Sequence, residues 1–154
     1  MLKWARANGC PWNGWTCAAA AREGHLEILK SAHENGCKWN AETCSNAAGF
    51  GHIEVLKWAH MNDCDWNIHT CVRAVVHGHL KVLQWLHANG CPWDFTTCSN
   101  AASYGDLEVL QWARANDCPW DRYTSLEAAR HKDDQMLKWV RANGCPARDV
   151  PGWH

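Results

Sequence analysis

Cysteine and histidine are the side chains with the widest chemical range in this sequence, ten of each in 154 residues. Their spacing limits what they can do. Cys10, Cys17, His25 and His33 recur as Cys37, Cys44, His52 and His60, and again as Cys64, Cys71, His79 and His87, which invites repeated Cys2His2 zinc sites. Against this, no C-x-x-C pair occurs. The next unit carries Asp106 and Arg114 where the histidines would stand, and the unit after it keeps Cys118 but has Ser125. A compact, buried apolar role suits such a cysteine column better than ligation. Nucleophilic catalysis would need a base within hydrogen-bond reach of a thiol and a third group orienting that base, and a repeated element has no reason to copy one active site several times. Nor does a glycine-rich phosphate cradle occur, the 11 glycines being scattered as helix stops. The chain is read as non-enzymatic, with no metal and no cofactor.

What the cysteines do announce is a period. They fall at 10, 37, 64, 91, 118 and 145, a step of 27, with a second set at 17, 44, 71 and 98. Trp12, Trp39, Trp66, Trp93 and Trp120 keep the same step, as do Trp58, Trp85, Trp112 and Trp139, with Trp4 in that column and Ser31 interrupting it. Such an array makes the repeat the unit of structure. One repeat domain spans 1–154: a half repeat 1–12, repeats 13–39, 40–66, 67–93, 94–120 and 121–147, and an irregular tail 148–154.

Each repeat reads as helix, turn, helix. Thr43 opens a short helix that stops at Gly51, and His52 to Met61 forms a second with Ile53, Leu56 and Ala59 at helical spacing. Asn-Gly-Cys-Pro at 8–11, 89–92 and 143–146 ends second helices, since Gly closes a helix and Pro prevents its continuation. Helix pairs are expected at 14–23 with 25–35, 41–50 with 52–62, 68–77 with 79–89, 95–104 with 106–116, and 122–131 with 133–143. Helices of about ten residues fall below the roughly 12 to 15 needed for marginal stability alone, so stacking is obligatory. The pairs Ala20-Ala21, Ala47-Ala48, Ala101-Ala102 and Ala128-Ala129 let first helices approach closely. Column cysteines in adjacent layers would be about 8 to 10 Å apart, too far for a disulfide. Within a unit, Cys10 with Cys17 is conceivable but leaves Cys118 and Cys145 without partners, so free thiols are expected. The His25 column is assigned a side-chain to backbone bond at a helix start, and His33, His60 and His87 a solvated face.

The segments GHLEIL (24–29), GHIEVL (51–56), GHLKVL (78–83) and GDLEVL (105–110), each followed by an Asn-Gly or Asn-Asp stop, resemble the second helix of ankyrin repeats. Upstream, Thr16-Cys17, Thr43-Cys44, Thr70-Cys71 and Thr97-Cys98 are similar to that family's Thr-Pro-Leu-His helix start, with Cys in the Pro position and the Leu and His also replaced. The resemblance covers nearly the whole chain. It implies an all-α, ankyrin-like solenoid of about five and a half repeats that binds other proteins. The 27-residue repeat is shorter than the family's 33. The loss falls where ankyrins carry a projecting hairpin finger, and only two residues remain there.

A net charge of −1 supplies no uniform basic field, so neither nucleic acid nor an anionic membrane is the expected partner. The uncharged run ending at Ala21 is broken by Pro11, Asn13, Gly14 and Thr16, well short of the roughly 20 apolar residues of a span. The start lacks the apolar core of a secretory signal, which makes cytoplasm or nucleus the expected compartment. The expected partner is a protein. Its binding face is placed where repeats differ from one another, along the first helices: Trp15; Glu42, Asn46 and Phe50; His69, Arg73 and His77; Asn100 and Tyr104; Tyr123, Glu127 and Arg130. Steps of four put these on one stripe, and aromatic and Arg enrichment marks interface centres. Lys30, Lys57 and Lys138 with Arg114 and Arg141 describe a mildly basic back. Two alternatives stand beside this reading: a metal-binding repeat protein using the Cys and His columns, or a structural subunit of a longer array or larger assembly, joined through uncapped ends.

Overall fold

The computed structural model describes residues 13–130 and 134–147. The half repeat 1–12, the tail 148–154 with Trp153, and Lys132 and Asp133 lie outside these residues, as does every statement above about the capping of the ends. Among the described residues all regular structure is helical, ten helices of nine residues in five antiparallel pairs. They are α1 (Gly14–Arg22) with α2 (Leu26–Glu34), α3 (Ala41–Gly49) with α4 (Ile53–Met61), α5 (Ile68–Val76) with α6 (Leu80–Ala88), α7 (Phe95–Ser103) with α8 (Leu107–Ala115), and α9 (Arg122–Arg130) with α10 (Asp134–Ala142).

The helix starts differ in one respect from the sequence expectation. The first helix of a unit is opened by the Asx residue after the tryptophan, three positions before the threonine. Asn13, Asn40, Asn67 and Asp94 have extended backbone, and their side-chain oxygens accept from the N–H two residues on, at 3.1, 3.1, 3.0 and 2.8 Å. Asp121 does the same for Tyr123 at 2.9 Å. Thr16 and Thr70 stand at the third helical position and reach back to the cap, completing capping boxes. Asx outranks Thr as a cap because its oxygen reaches these orphan N–H groups with less strain.

Every described turn ends its helix the same way. His25, His52, His79 and Asp106 return their N–H to the carbonyl five residues back, over a left-handed glycine at 24, 51, 78 or 105. Second helices repeat the motif through Cys37, Cys64, Cys91, Cys118 and Cys145, with Gly36, Gly90 or Gly144 in the left-handed position. Asp63 and Asp117, both at φ 61°, hold that position without glycine's freedom. Asp63→Gly and Asp117→Gly should therefore each raise stability by about 0.5 to 1 kcal/mol in urea titration; an unchanged midpoint would show that the Asp side chain offsets the strain.

Stacking follows the small residues. Each first helix packs on the next, α1 on α3, α3 on α5, α5 on α7 and α7 on α9, with Ala20, Ala21, Ala47, Ala48, Ala74, Ala101, Ala102 and Ala128 buried between them. Leu29, Leu56, Leu83 and Leu110 fill the layer between first and second helices. Histidine ties one layer to the next: His52 Nε2 donates to the Arg22 carbonyl at 2.9 Å. A Cβ on Gly24 would come within 2.6 Å of that ring, and one on Gly51 within 2.8 Å of His79. Glycine is needed there for its missing Cβ as much as for its φ. The structural bond expected of the first histidine column is made by His52, and it runs to the preceding repeat.

Candidate functional site

The chemistry-bearing columns are taken up by packing. All nine described cysteines are buried, at 0 to 5% exposure. Cys37, Cys64, Cys91, Cys118 and Cys145 donate their thiols to the carbonyls of Asn13, Asn40, Asn67, Asp94 and Asp121 at 3.0 to 3.6 Å. The link after each second helix is thereby pinned to the cap that opens the unit. The inner column sits against the outer: Cys44 Sγ lies 3.6 Å from the Cys64 carbonyl, and Cys98 Sγ 3.9 Å from that of Cys118. Contact is between residues 20 apart in one unit; Cys10 lies outside the described residues. In the last unit Ser125 takes the inner place and donates to the Pro146 carbonyl at 2.7 Å. Burial, with the neighbouring Cys37 thiol, pushes Cys17 up to about 12; the adjoining outer thiols, with burial, drive Cys44, Cys71 and Cys98 higher still. These are protonated packing groups, not nucleophiles.

The outer histidines are not solvated as expected. His33, His60 and His87 stack flat on Trp39, Trp66 and Trp93, with ring centroids 4.1, 3.6 and 4.1 Å apart. Each of these tryptophans meets the edge of Trp58, Trp85 or Trp112 in the next second helix at 5.5 to 5.7 Å. In the following layer Arg114 replaces the histidine, its guanidinium 4.3 Å from the Trp120 ring centroid and donating to the Cys118 carbonyl. The imidazoles thus cover the tryptophan seam, where ring stacking takes them up. Among the described residues no group of three or more His, Cys, Asp or Glu converges on a metal-sized site. The lysines of the back are engaged as well, Lys30 with Glu27 at 2.8 Å and Lys57 with Glu54 at 2.9 Å.

The variable residues share the first-helix face. Trp15 is 79% exposed, Tyr104 57%, Tyr123 49% and Phe50 39%; the first is on α1, the third on α9, and the other two follow the last residues of α7 and α3. Two grooves run between neighbouring helices of this face. One of about 500 Å³, between α3 and α5, is lined by Glu42, Ser45, His69, Val72, Arg73, Val76 and His77. The other, of about 360 Å³ between α7 and α9, is lined by Phe95, Ser99, Asn100, Ser103, Tyr123 and Glu127. Seven of the twelve expected residues therefore line grooves. Phe50 sits beside the first, its ring centroid 5.0 Å from the Arg22 guanidinium and 5.6 Å from the His77 ring. Arg130 sits beside the second, its Nη1 2.8 Å from Glu127 Oε1. Asn46 does something else. Its Nδ2 donates to the Ala18 carbonyl at 3.2 Å and bridges α3 to α1. Trp15 and Tyr104 stand apart from both grooves on the open face.

Besides Val76 and Ser103, which stand in the variable column of Arg130, four groove residues escaped sequence reasoning: Ser45, Val72, Phe95 and Ser99. A signal was available, since the columns 14, 41, 68, 95, 122 and 18, 45, 72, 99, 126 also differ at every or nearly every step. Their apolar or small character made them look like core. Along the groove Phe95 is exposed and Val72 and Ser99 are half-buried, while Ser45 is buried at its wall.

Residues 68–114 match the family model described as ankyrin repeats (many copies), which spans α5 through most of α8. The pairs on either side repeat the same helix, turn, helix arrangement. No curated protein matches the chain.

Proposed function

We propose that this chain, whose residues 68–114 match ankyrin repeats and whose flanking helix pairs repeat the same arrangement, is an ankyrin-repeat protein that acts as a non-catalytic module and captures a protein partner on the exposed face of α1, α3, α5, α7 and α9. Ankyrin repeats as a class are protein–protein interaction modules. The observation that carries the assignment here is the distribution of exposed aromatics. Among the described residues, five of the six large hydrophobic side chains that are exposed, Trp15, Phe50, Phe95, Tyr104 and Tyr123, lie on or directly after first helices, and Met61 lies on a second helix. Exposed aromatic rings gathered on one face, with arginines among them, are what interface centres are made of. The cysteine and histidine columns are absorbed by packing, which favours this reading over metal binding.

Trp15→Ala, Phe50→Ala and Tyr104→Ala should each weaken capture of the partner by about 1 to 2 kcal/mol or more, measured by calorimetry, while leaving the thermal midpoint in place. Equal loss of stability in all three would place these rings in the core and sink the assignment.

A further inference from the structure

Resting on that face as the binding surface, we propose that the groove between α3 and α5 receives the carboxylate of an Asp or Glu side chain from an extended peptide segment of the partner. Three basic side chains of one repeat converge there, and a fourth, from the first described repeat, lies beside the groove. Arg73, His69 and His77 line the groove, and beside it Arg22 of α1 lies over the Phe50 ring, 5.0 Å from its centroid, with His77 5.6 Å from the same ring. Gly49 makes the convergence possible. A Cβ at that position would stand 3.2 Å from Arg73 Cδ and 3.3 Å from His77 Cδ2, and the corresponding residues in the other repeats are Arg22, Val76, Ser103 and Arg130. Only in this repeat is the helix end bare enough for both side chains to lie against it.

The facing carboxylates are two, Glu23 and Glu42, each 3.7 Å from its arginine and each pair partly exposed. Pairs so open are held weakly, and a guanidinium has five donors of which one long contact uses a fraction. An entering carboxylate can take the free edge of the Arg73 fork in a bidentate pair. Val72 and Val76 offer apolar wall for a neighbouring hydrophobic side chain. A basic peptide would meet like charge. A polyanion such as a nucleic-acid backbone would bring successive phosphates against Glu23 and Glu42 on a chain of net charge −1, whereas a single carboxylate avoids both.

The test is selection of phage-displayed random peptides on the intact chain, followed by fluorescence anisotropy with the labelled consensus peptide. An Asp or Glu beside an apolar residue is expected in the consensus. Its change to the amide should weaken binding roughly ten-fold or more, as should Arg73→Gln in the protein; Arg73→Glu should then favour the peptide in which Lys replaces the acid. Selection without an acid, selection of basic peptides, no selection at all, or indifference to both Arg73 variants would overturn the proposal. So would oligothymidylate displacing the peptide and binding in its place. Peptides that lose affinity with Trp15→Ala or Tyr104→Ala yet show no acid preference would refute this inference alone, while peptides indifferent to every residue of the face would refute the face as well.

Discussion

Raising the pH from 7 to 10 under reducing conditions is expected to remove about 5 kcal/mol of stability, enough to unfold much of the array. The cause is the inner cysteine column. Cys17, Cys44, Cys71 and Cys98 are fully buried beside a second thiol, so in the folded chain they keep their protons well past the ordinary thiol value of 9.0. Unfolded, they release them near that value. Below about pH 8.5 these four thiols keep their protons in both states and contribute no pH dependence; Cys118, whose thiol the Cys98 contact lowers, gives an opposing rise with pH that partly offsets Cys98. Above that pH the folded state binds more protons than the unfolded one, and stability falls as pH rises, by about 1.4 kcal/mol per unit for each of the four thiols. Four thiols together approach the whole stability of an ordinary domain, about 5 to 15 kcal/mol. Urea midpoints followed by circular dichroism between pH 7 and 10 will read this directly. Cys98→Ser supplies the control. Serine already occupies the equivalent place at 125, where its hydroxyl donates to Pro146, and it does not titrate in this range. Its alkaline slope should be shallower by the share of one thiol. A chain as stable at pH 10 as at pH 7, or a Cys98→Ser slope equal to the parent's, would mean the buried thiols do not control alkaline stability.

Trp66→Ala should lower the thermal midpoint by about 4 to 12 °C. A fully buried Trp cut to Ala costs about 3 to 5 kcal/mol. Trp66 is only half-buried, which brings the expected loss to about 2 to 3 kcal/mol, with about 2 to 4 °C lost per kcal/mol in a chain of this size. Its contacts are the stacked His60 ring at 3.6 Å and the Trp85 edge at 5.7 Å, so the substitution loosens the seam between two repeats. Because a repeat touches only its neighbours, the transition should also broaden as the two sides of the seam lose coupling. Trp15→Ala, on the open face, should leave the melting curve where it was. Differential scanning calorimetry of both variants decides the point. Equal melting of Trp66→Ala and the parent would show the ring stack to be ornamental.

The contrast between those two tryptophans shows how far sequence reading reached. Trp66 stands in a column repeated every 27 residues and Trp15 in none, and that difference alone separates framework from surface. The helix limits were legible to within a residue or two, because Gly and Asn-Gly stops and Asx or Thr starts are local devices whose energetics act within one turn. The choice between Asn40 and Thr43 as the opener was a closer contest, since both residue types cap helices and both take part in capping boxes elsewhere in the chain. His60 was misplaced for a different reason. Its exposure depends on the link folding back to lay Trp66 against it, and helical periodicity does not report what a following loop covers.

By itself, then, the sequence determined the 27-residue period, the helix pairs, the small residues along the stacking seam and the columns free to vary, all of them consequences of short-range sterics and hydrogen bonding. Tertiary structure alone decided which thiol meets which carbonyl 24 residues away, and that Arg73 and His77 lie against the bare Gly49 of the preceding repeat while Arg22, from the repeat before that, lies over Phe50. Those meetings depend on the offset and rotation between successive layers. Packing of the alanine faces sets that geometry across the seam, and no single repeat contains the information.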